Sequence, residues 1–518
     1  MIRRGIASIS ALVGLQTFAR ITSTILAVIT LRRLSAEMYG IVNFRMPLLL
    51  SSILFLSRES FHRATIRSHK EDDKKGLYLV WYSAFPIGFL FTIGMTFFTI
   101  YKSPKGVPYY SLAMILVAFG SWIELVCEPV IVWLASNLLF NVQAVIEGIA
   151  ILIKSLFIVG AVYLPKRNDL LFFGLSQIVY AIILFCGYYG YFFTKKYPKN
   201  EIFPSFSDFF SFKLIKENLE RCKMIIRLFL QSILTHFLTE GEKFVLIKMK
   251  SLYDEGVYGI VSNQGSIVLR IIFLPIETVG YSLFARFHLA GENESLKLIT
   301  ITIIKLMTYI GSIFAFFGFN YSYTAVKFVY GSKWTVEDDS VPKLLGIYCI
   351  FILFCALNGV TEAFLRSIAD KKVLDKLNTK LIIFSCVYWG LLWFFIKQFG
   401  ISGLIFANCF NMLMRIVNSM VFIKNYFGKN FSIFLLLPNW RVLIFAYIPI
   451  VIAITTSSKI FERSLNPKQV LLHIIIGITT LIILLSMIYI FDNQFLKNAK
   501  EIWKERKKTK QEKRKKED

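Results

Sequence analysis

Residues 344–368 read LLGIYCIFILFCALNGVTEAFLRSI, a stretch of 25 positions that decides the fold class. It is long enough to cross a bilayer core, which takes about 20 mostly apolar residues in a helix. It is too apolar to serve as one face of a soluble helix, yet it carries Glu362 and Arg366 near one end. Thirteen further stretches of this kind occur, near 7–31, 40–62, 77–101, 110–135, 142–164, 170–193, 224–248, 257–284, 299–319, 379–397, 400–423, 441–458 and 470–491. Lipid offers no partner for backbone N–H and C=O groups, so segments of this length must be helices; barrel strands would be shorter and would alternate. The expected fold is therefore an all-α polytopic membrane protein of about fourteen transmembrane helices. Composition agrees: 56% of the 518 residues are hydrophobic and 16% aromatic. Mean hydropathy is +0.59.

The formal net charge of +26 has to sit outside the hydrocarbon, and its distribution gives an orientation. Arg3 and Arg4 precede the first span, and 497–518 is a Lys/Arg-rich run with scattered Glu. The even-numbered loops hold Arg67, Lys70, Lys74 and Lys75, then Lys195, Lys196, Lys199, Lys213 and Lys216, then Lys371, Lys372 and Lys376. Basic loops face the cytosol, so both termini are expected there. A basic tail on a chain filled with apolar spans reads as topology and not as nucleic-acid binding. Its end, Lys515-Lys516-Glu517-Asp518, fits a dilysine signal for retrieval to the endoplasmic reticulum, an address that receptors read. The first apolar stretch is too long for a signal peptide. The seven cysteines show neither paired nor metal-like spacing and read as small hydrophobes.

The spans divide into an N-lobe (1–195, spans 1–6), a cytoplasmic linker (196–222), a C-lobe (223–425, spans 7–12), two additional spans (426–495) and a basic tail (496–518). Within the linker, Phe209, Phe210, Phe212 and Leu214 alternate with Lys213, Lys216 and Glu217, as in an amphipathic piece lying on the membrane. The lobes echo one another. Tyr39-Gly40-Ile41-Val42 opens the second span and Tyr258-Gly259-Ile260-Val261 the eighth, each after a short acidic loop (Glu37; Asp254-Glu255). A match at the same place in each six-span unit suggests two parallel, pseudo-symmetric lobes around a central cavity.

Ionisable residues inside spans are costly and face protein or water. Here they are Arg20, Arg45, Arg58, Glu59, Glu124, Glu128, Glu147, Lys154, Arg227, Glu240, Glu242, Lys243, Arg270, Glu277, Lys305, Glu362, Arg366 and Arg415. Interhelical salt bridges or snorkelling ends are one explanation and suit Arg366. Arg58-Glu59, Lys154 and the cluster from Glu240 to Lys243 read better as the lining of a hydrated cavity. Arginine forks match phosphate oxygens and carboxylates accept from sugar hydroxyls, so a diphosphate sugar head group fits such a lining. Pro47, Pro129 and Pro275 lie beside Arg45, Glu128 and Glu277, where each would permit a kink.

Nothing points to catalysis, a metal or a cofactor. Glu71-Asp72-Asp73 and Glu337-Asp338-Asp339 lie in a cytoplasmic loop and a short loop, the five histidines are scattered, and no Gly-rich nucleotide loop is present.

Several stretches resemble one family: 54–64 (LFLSRESFHRA), 124–129 (ELVCEP), 238–243 (LTEGEK), 256–277 (GVYGIVSNQGSIVLRIIFLPIE), 358–362 (NGVTE) and 407–416 (ANCFNMLMRI). The chain resembles the RFT family of endoplasmic-reticulum membrane proteins, a branch of the multidrug/oligosaccharidyl-lipid/polysaccharide exporter superfamily. That resemblance implies a flippase moving a dolichol-diphosphate-linked mannose/N-acetylglucosamine oligosaccharide from the cytosolic to the lumenal leaflet for N-glycosylation. It also implies the glycolipid, the membrane and other membrane proteins of the N-glycosylation pathway as partners, with no nucleic acid. Arg20, Arg45, Arg58, Lys154 and Arg270 are the expected diphosphate contacts. Glu59, Glu124, Glu128, Glu240, Glu242, Glu277 and Glu362 are the expected cavity carboxylates, with Arg415 a further family-typical position. The alternative is a non-transporting helper that presents the glycolipid to lumenal glycosyltransferases; a drug/cation antiporter would need fewer cationic and more acidic and aromatic cavity residues.

Overall fold

The computed structural model describes residues 22–23, 25–30, 32–67, 86–136, 139–163, 169–194, 219–331, 333–336, 339–428, 431–442, 451, 454–455, 467–493 and 495–498. All regular structure among them is helical. Nine of these helices are long and apolar enough to cross a membrane, and a bent pair makes a tenth. The chain is a multi-pass membrane protein. Of the fourteen expected spans, most of 7–31 and most of 441–458 lie outside the described residues, as do Arg20, nearly all of the linker and most of the basic tail.

The chain forms two compact units, Met1–Gly259 and Ile260–Asp518. In the first, α1 (Ala36–Gly40) runs through a π turn, Ile41–Arg45, into α2 (Met46–Arg67). Ser35 caps its start by accepting from the Met38 amide at 3.3 Å, satisfying one of the amides that a helix N-terminus leaves unpaired. Then follow α3 (Gly88–Tyr101), α4 (Tyr110–Val126), α5 (Glu128–Ser136), α6 (Phe140–Val162), α7 (Asp169–Thr194) and α8 (Leu219–Met249). Helix α2 packs on α3, α4 and α8, while α7 packs on α4 and α6. Cys127, Val130, Leu134, Leu184, Tyr188 and Phe192 form a buried core where α4, α5 and α7 meet.

Helix α9 (Leu252–Val268) begins in the first unit and ends in the second. A second π turn, Leu269–Phe273, leads to α10 (Leu274–Leu289), followed by α11 (Asn293–Tyr330), α12 (Ser340–Ile368), α13 (Lys371–Phe399), α14 (Ile401–Phe427) and α15 (Pro467–Phe491). Helix α12 is the hub, touching α10, α11 and α14. Its approach to α11 depends on small residues: a Cβ on Gly311 would meet Leu353 at 2.8 Å, and one on Gly318 would overlap Cys349. Apolar helices in lipid gain nothing by hiding oil from oil, so close packing through such residues holds them together.

The three prolines sit where the helices break pattern. Pro47 and Pro275 are each the second residue of the helix that follows a π turn, and Pro129 stands at the start of α5, which is bent by 41° from α4. Proline cannot donate to the carbonyl four residues back, and a widened turn or a bend accommodates the missing bond.

Candidate functional site

The residues that the sequence singles out divide into those locked by a partner and those left half open. Arg45, the last residue of the first π turn, is locked. Its Nε donates to Glu255 Oε2 at 2.8 Å and its Nη2 to Oε1 at 2.6 Å, a two-pronged ion pair. Nη1 reaches the Lys102 carbonyl at 3.3 Å. Arg45 is 7% exposed and Glu255 fully buried. The helices bearing this pair touch through backbone. A Cβ on Gly40 would stand 2.7 Å from the Leu252 carbonyl, and one on Gly256 would strike the Ala36 carbonyl. Phe44 also meets Tyr258 edge to face at 6.3 Å. The two YGIV repeats thus meet one another, with Tyr39 lying over Gly259. Sequence reasoning noted Glu255 only as part of an acidic loop; one signal was its place three residues before the repeat, at the mouth of a span.

Arg58 is held differently. From α2 its Nη1 lies 3.4 Å from Glu128 and 3.6 Å from Glu124, long contacts, and a third of the side chain is exposed. Charge-assisted N–H···O bonds are ordinarily shorter, about 2.7–2.9 Å, so these carboxylates guide the guanidinium without consuming it. Glu59 beside it is half-buried. Lys154 of α6 donates to Gln177 Oε1 at 2.6 Å and stands 5.3 Å from the Tyr180 ring centre. Gln177 in turn reaches Glu124 at 3.4 Å. Glu147 accepts from Gln143 at 3.0 Å and from Tyr188 at 3.2 Å. One polar network therefore joins α2, α4, α5, α6 and α7, carrying two cations and several carboxylates inside apolar helices. Gln177 and Tyr180, neutral residues, could not have been picked out by an argument from charge.

On α8, Glu240 pairs with Lys243 at 2.6 Å, one turn away, and Glu242 accepts from Tyr258 at 3.2 Å. His236, which the sequence left unassigned, meets Ser52 at 2.9 Å and stacks on Phe55, tying α8 to α2. Of Arg227 on the same helix only its place in the chain is described.

The second unit gathers its predicted residues around Glu362. Arg366, one turn on, donates to Oε1, and Arg415 of α14 donates to Oε2 at 2.5 Å. Asn358 adds a contact at 3.4 Å. Glu277 of α10 reaches the same helix: its Oε2 lies 2.6 Å from where a Cβ on Gly359 would be. Arg270 stands apart. It is exposed and bonds within its own helix, to the Ser266 carbonyl at 3.2 Å and hydroxyl at 2.5 Å. Lys305 of α11 forms a further buried pair with Asp492 at 2.9 Å, to which Tyr309 also donates at 2.7 Å. Asp492 was not singled out, because it lies where a span ends and solvent was expected.

Among the described residues no cluster of three or more His, Cys, Asp or Glu has metal-holding geometry. The arrangement offers instead two chemistries suited to a solute: half-open cations for an anion, and carboxylates with amide groups for hydroxyls.

Comparison with known proteins follows the same direction. The family model described as Rft protein matches residues 4–502. A Xenopus tropicalis protein called Man(5)GlcNAc(2)-PP-dolichol translocation protein RFT1 is 33% identical over 441 residues, 80% of each chain. The protein of that name from Dictyostelium discoideum is 27% identical over 560 residues, 97% of each chain. Among solved structures, lipid II flippase MurJ in an inward closed conformation superposes with a TM-score of 0.60 at 16% identity, covering 92% of this chain and 98% of its own. An inward-facing multidrug resistance MATE family transporter of the MOP superfamily gives 0.57 at 14% identity, covering 79% and 96%. The fold is shared with both.

Proposed function

The chain belongs to the Rft protein family, and from that membership we propose that it translocates a dolichol-diphosphate-linked oligosaccharide of mannose and N-acetylglucosamine. Movement runs from the cytosolic to the lumenal leaflet of the endoplasmic reticulum membrane, supplying protein N-glycosylation. The names of its relatives, matched over 80% to 97% of the chain, carry this reading.

The physical problem is the head group. A diphosphate and its hydroxyls lose their hydration in hydrocarbon at a cost far above thermal energy, so a path must supply substitutes. The network of Arg58, Glu124, Glu128, Lys154 and Gln177 offers them inside spans of the first unit. Arg58 and Lys154 are the proposed diphosphate contacts, because Arg58 is only loosely engaged and Lys154 has two ammonium hydrogens beyond the one given to Gln177. Glu59, Glu124 and Glu128 are assigned to orienting these cations and to sugar hydroxyls. Arg45 is assigned a pinning role, since Glu255 and a backbone carbonyl already engage it. Glu362 with Arg366 and Arg415, and Glu277 beside them, form the second unit's polar hub. The basic loops put both termini in the cytosol.

The reading is tested in cells depleted of their own Rft-family protein. This chain is expected to restore N-glycosylation and to clear the lipid-linked oligosaccharide that accumulates. Failure to restore either, with the protein present in the reticulum, would overturn it.

A further inference from the structure

Helices α13 and α14 form an antiparallel hairpin whose outer face is apolar and uncovered: Ile382, Ile383 and Val387 on one helix and Leu413, Val417 and Val421 on the other are all exposed. Between the two runs a groove of about 530 Å³. Its walls include Phe384, Leu413, Met414, Val417 and Val421, and Lys380 and Asn418 stand in it. Lys380 Nζ donates to Asn418 Oδ1 at 2.8 Å, and Asn418 is its one recorded partner among the described residues. Among the described residues no carboxylate pairs with it.

The depth of this lysine makes it unusual. At the other end of α13, Lys397 covers the Trp393 ring at 3.7 Å, the kind of aromatic and cationic pair that marks a membrane interface. From Lys397 back to Lys380 the helix rises about 25 Å. The hydrocarbon core measures about 30 Å, so Lys380 lies roughly a turn inside its far edge. A lysine there usually snorkels to the interface, yet Asn418 holds this one within the groove. Two of its three hydrogens remain to be given. Lys376 and Lys372, exposed one and two turns outward along α13, extend the positive stripe into the interface.

We infer that this groove is a binding site for an anionic phospholipid of the cytosolic leaflet, its phosphate on Lys380 and Asn418 and an acyl chain against Val417 and Val421. In a membrane-spanning hairpin an uncovered apolar groove is filled by lipid, and the unneutralised ammonium selects which lipid. The cytosolic assignment follows from Lys371, Lys372 and Lys376 in the first turns of α13. The site requires membrane topology alone and is independent of the translocation reading, so either can fail without the other.

Native mass spectrometry of the full-length protein, offered equimolar phosphatidylinositol and phosphatidylcholine, tests it. The wild type is expected to retain one phosphatidylinositol in preference. Lys380→Gln should reduce that preference about fivefold, the worth of one lysine near an anionic lipid surface. Val417→Trp, which fills the groove and keeps the charge, should abolish retention, while Lys397→Gln should leave it intact. Equal retention of the two lipids by the wild type, or an unchanged preference in Lys380→Gln, would overturn the inference.

Discussion

Arg45 and Arg58 sit on the same run of helix and look alike in sequence, but their surroundings give them different work. A fork engaged at both prongs by a buried carboxylate, as Arg45 is by Glu255, leaves a costly orphan when either partner goes. Glu255→Ala is expected to destabilise the protein by about 3–5 kcal/mol, the usual cost of breaking a buried pair. Thermal unfolding in detergent would measure it, and Arg45→Met with Glu255→Met together should recover much of the loss. Additive losses in the double variant would mean that the two residues are not coupled. None of this pairing was legible in the sequence, because the partners are 210 positions apart. What could be read was that each charge is too expensive to stand alone in a span. The same limit applies to Arg270, which charge alone grouped with Arg58, although among the described residues it bonds to Ser266 of its own helix.

At the scale of helices, glycine placement separates contacts that matter from open space. Gly256→Ala would drive a methyl group into the Ala36 carbonyl and force the helices bearing the repeats apart. A loss of about 1–3 kcal/mol is expected, as for other overpacked sites, read as a lowered unfolding temperature. Gly160→Ala, in α6 with nothing within 4 Å, should instead be neutral or gain up to about 1 kcal/mol from helix propensity. A stable Gly256→Ala would show that the close approach is not required. Of the three sequons, Asn320-Tyr321-Ser322 lies inside α11, with Asn320 bonded to the Phe316 carbonyl and Ser322 buried. No glycan is expected there, and Asn293 and Asn430 fall between spans on the side that the basic loops assign to the cytosol, so endoglycosidase treatment should leave the mobility of the protein unchanged. Helix positions were largely legible, since apolar stretches of span length can be little else. The prolines announced breaks, and the structure resolves them into two π turns and a 41° bend. Sequence did not reveal that the two YGIV segments, recognised as a repeat, pack against each other; a repeat fixes likeness and not contact.

For the molecule as a whole, the two compact units and the relatives of matching length describe a multi-pass membrane protein of the Rft family whose polar groups are built into apolar helices. The central claim is that Arg58 and Lys154 carry a diphosphate head group across the membrane. The most direct measurement is transbilayer movement of a dolichol-diphosphate oligosaccharide in liposomes containing the purified protein, for the wild type, Arg58→Ala and Lys154→Ala. The account predicts that the wild type accelerates movement well above protein-free liposomes and that each substitution removes most of the gain, without lowering the amount of folded protein reconstituted. Wild-type liposomes that move no more lipid than empty ones, while cells carrying either substitution still lose N-glycosylation, would contradict it and leave a glycolipid-presenting helper in its place.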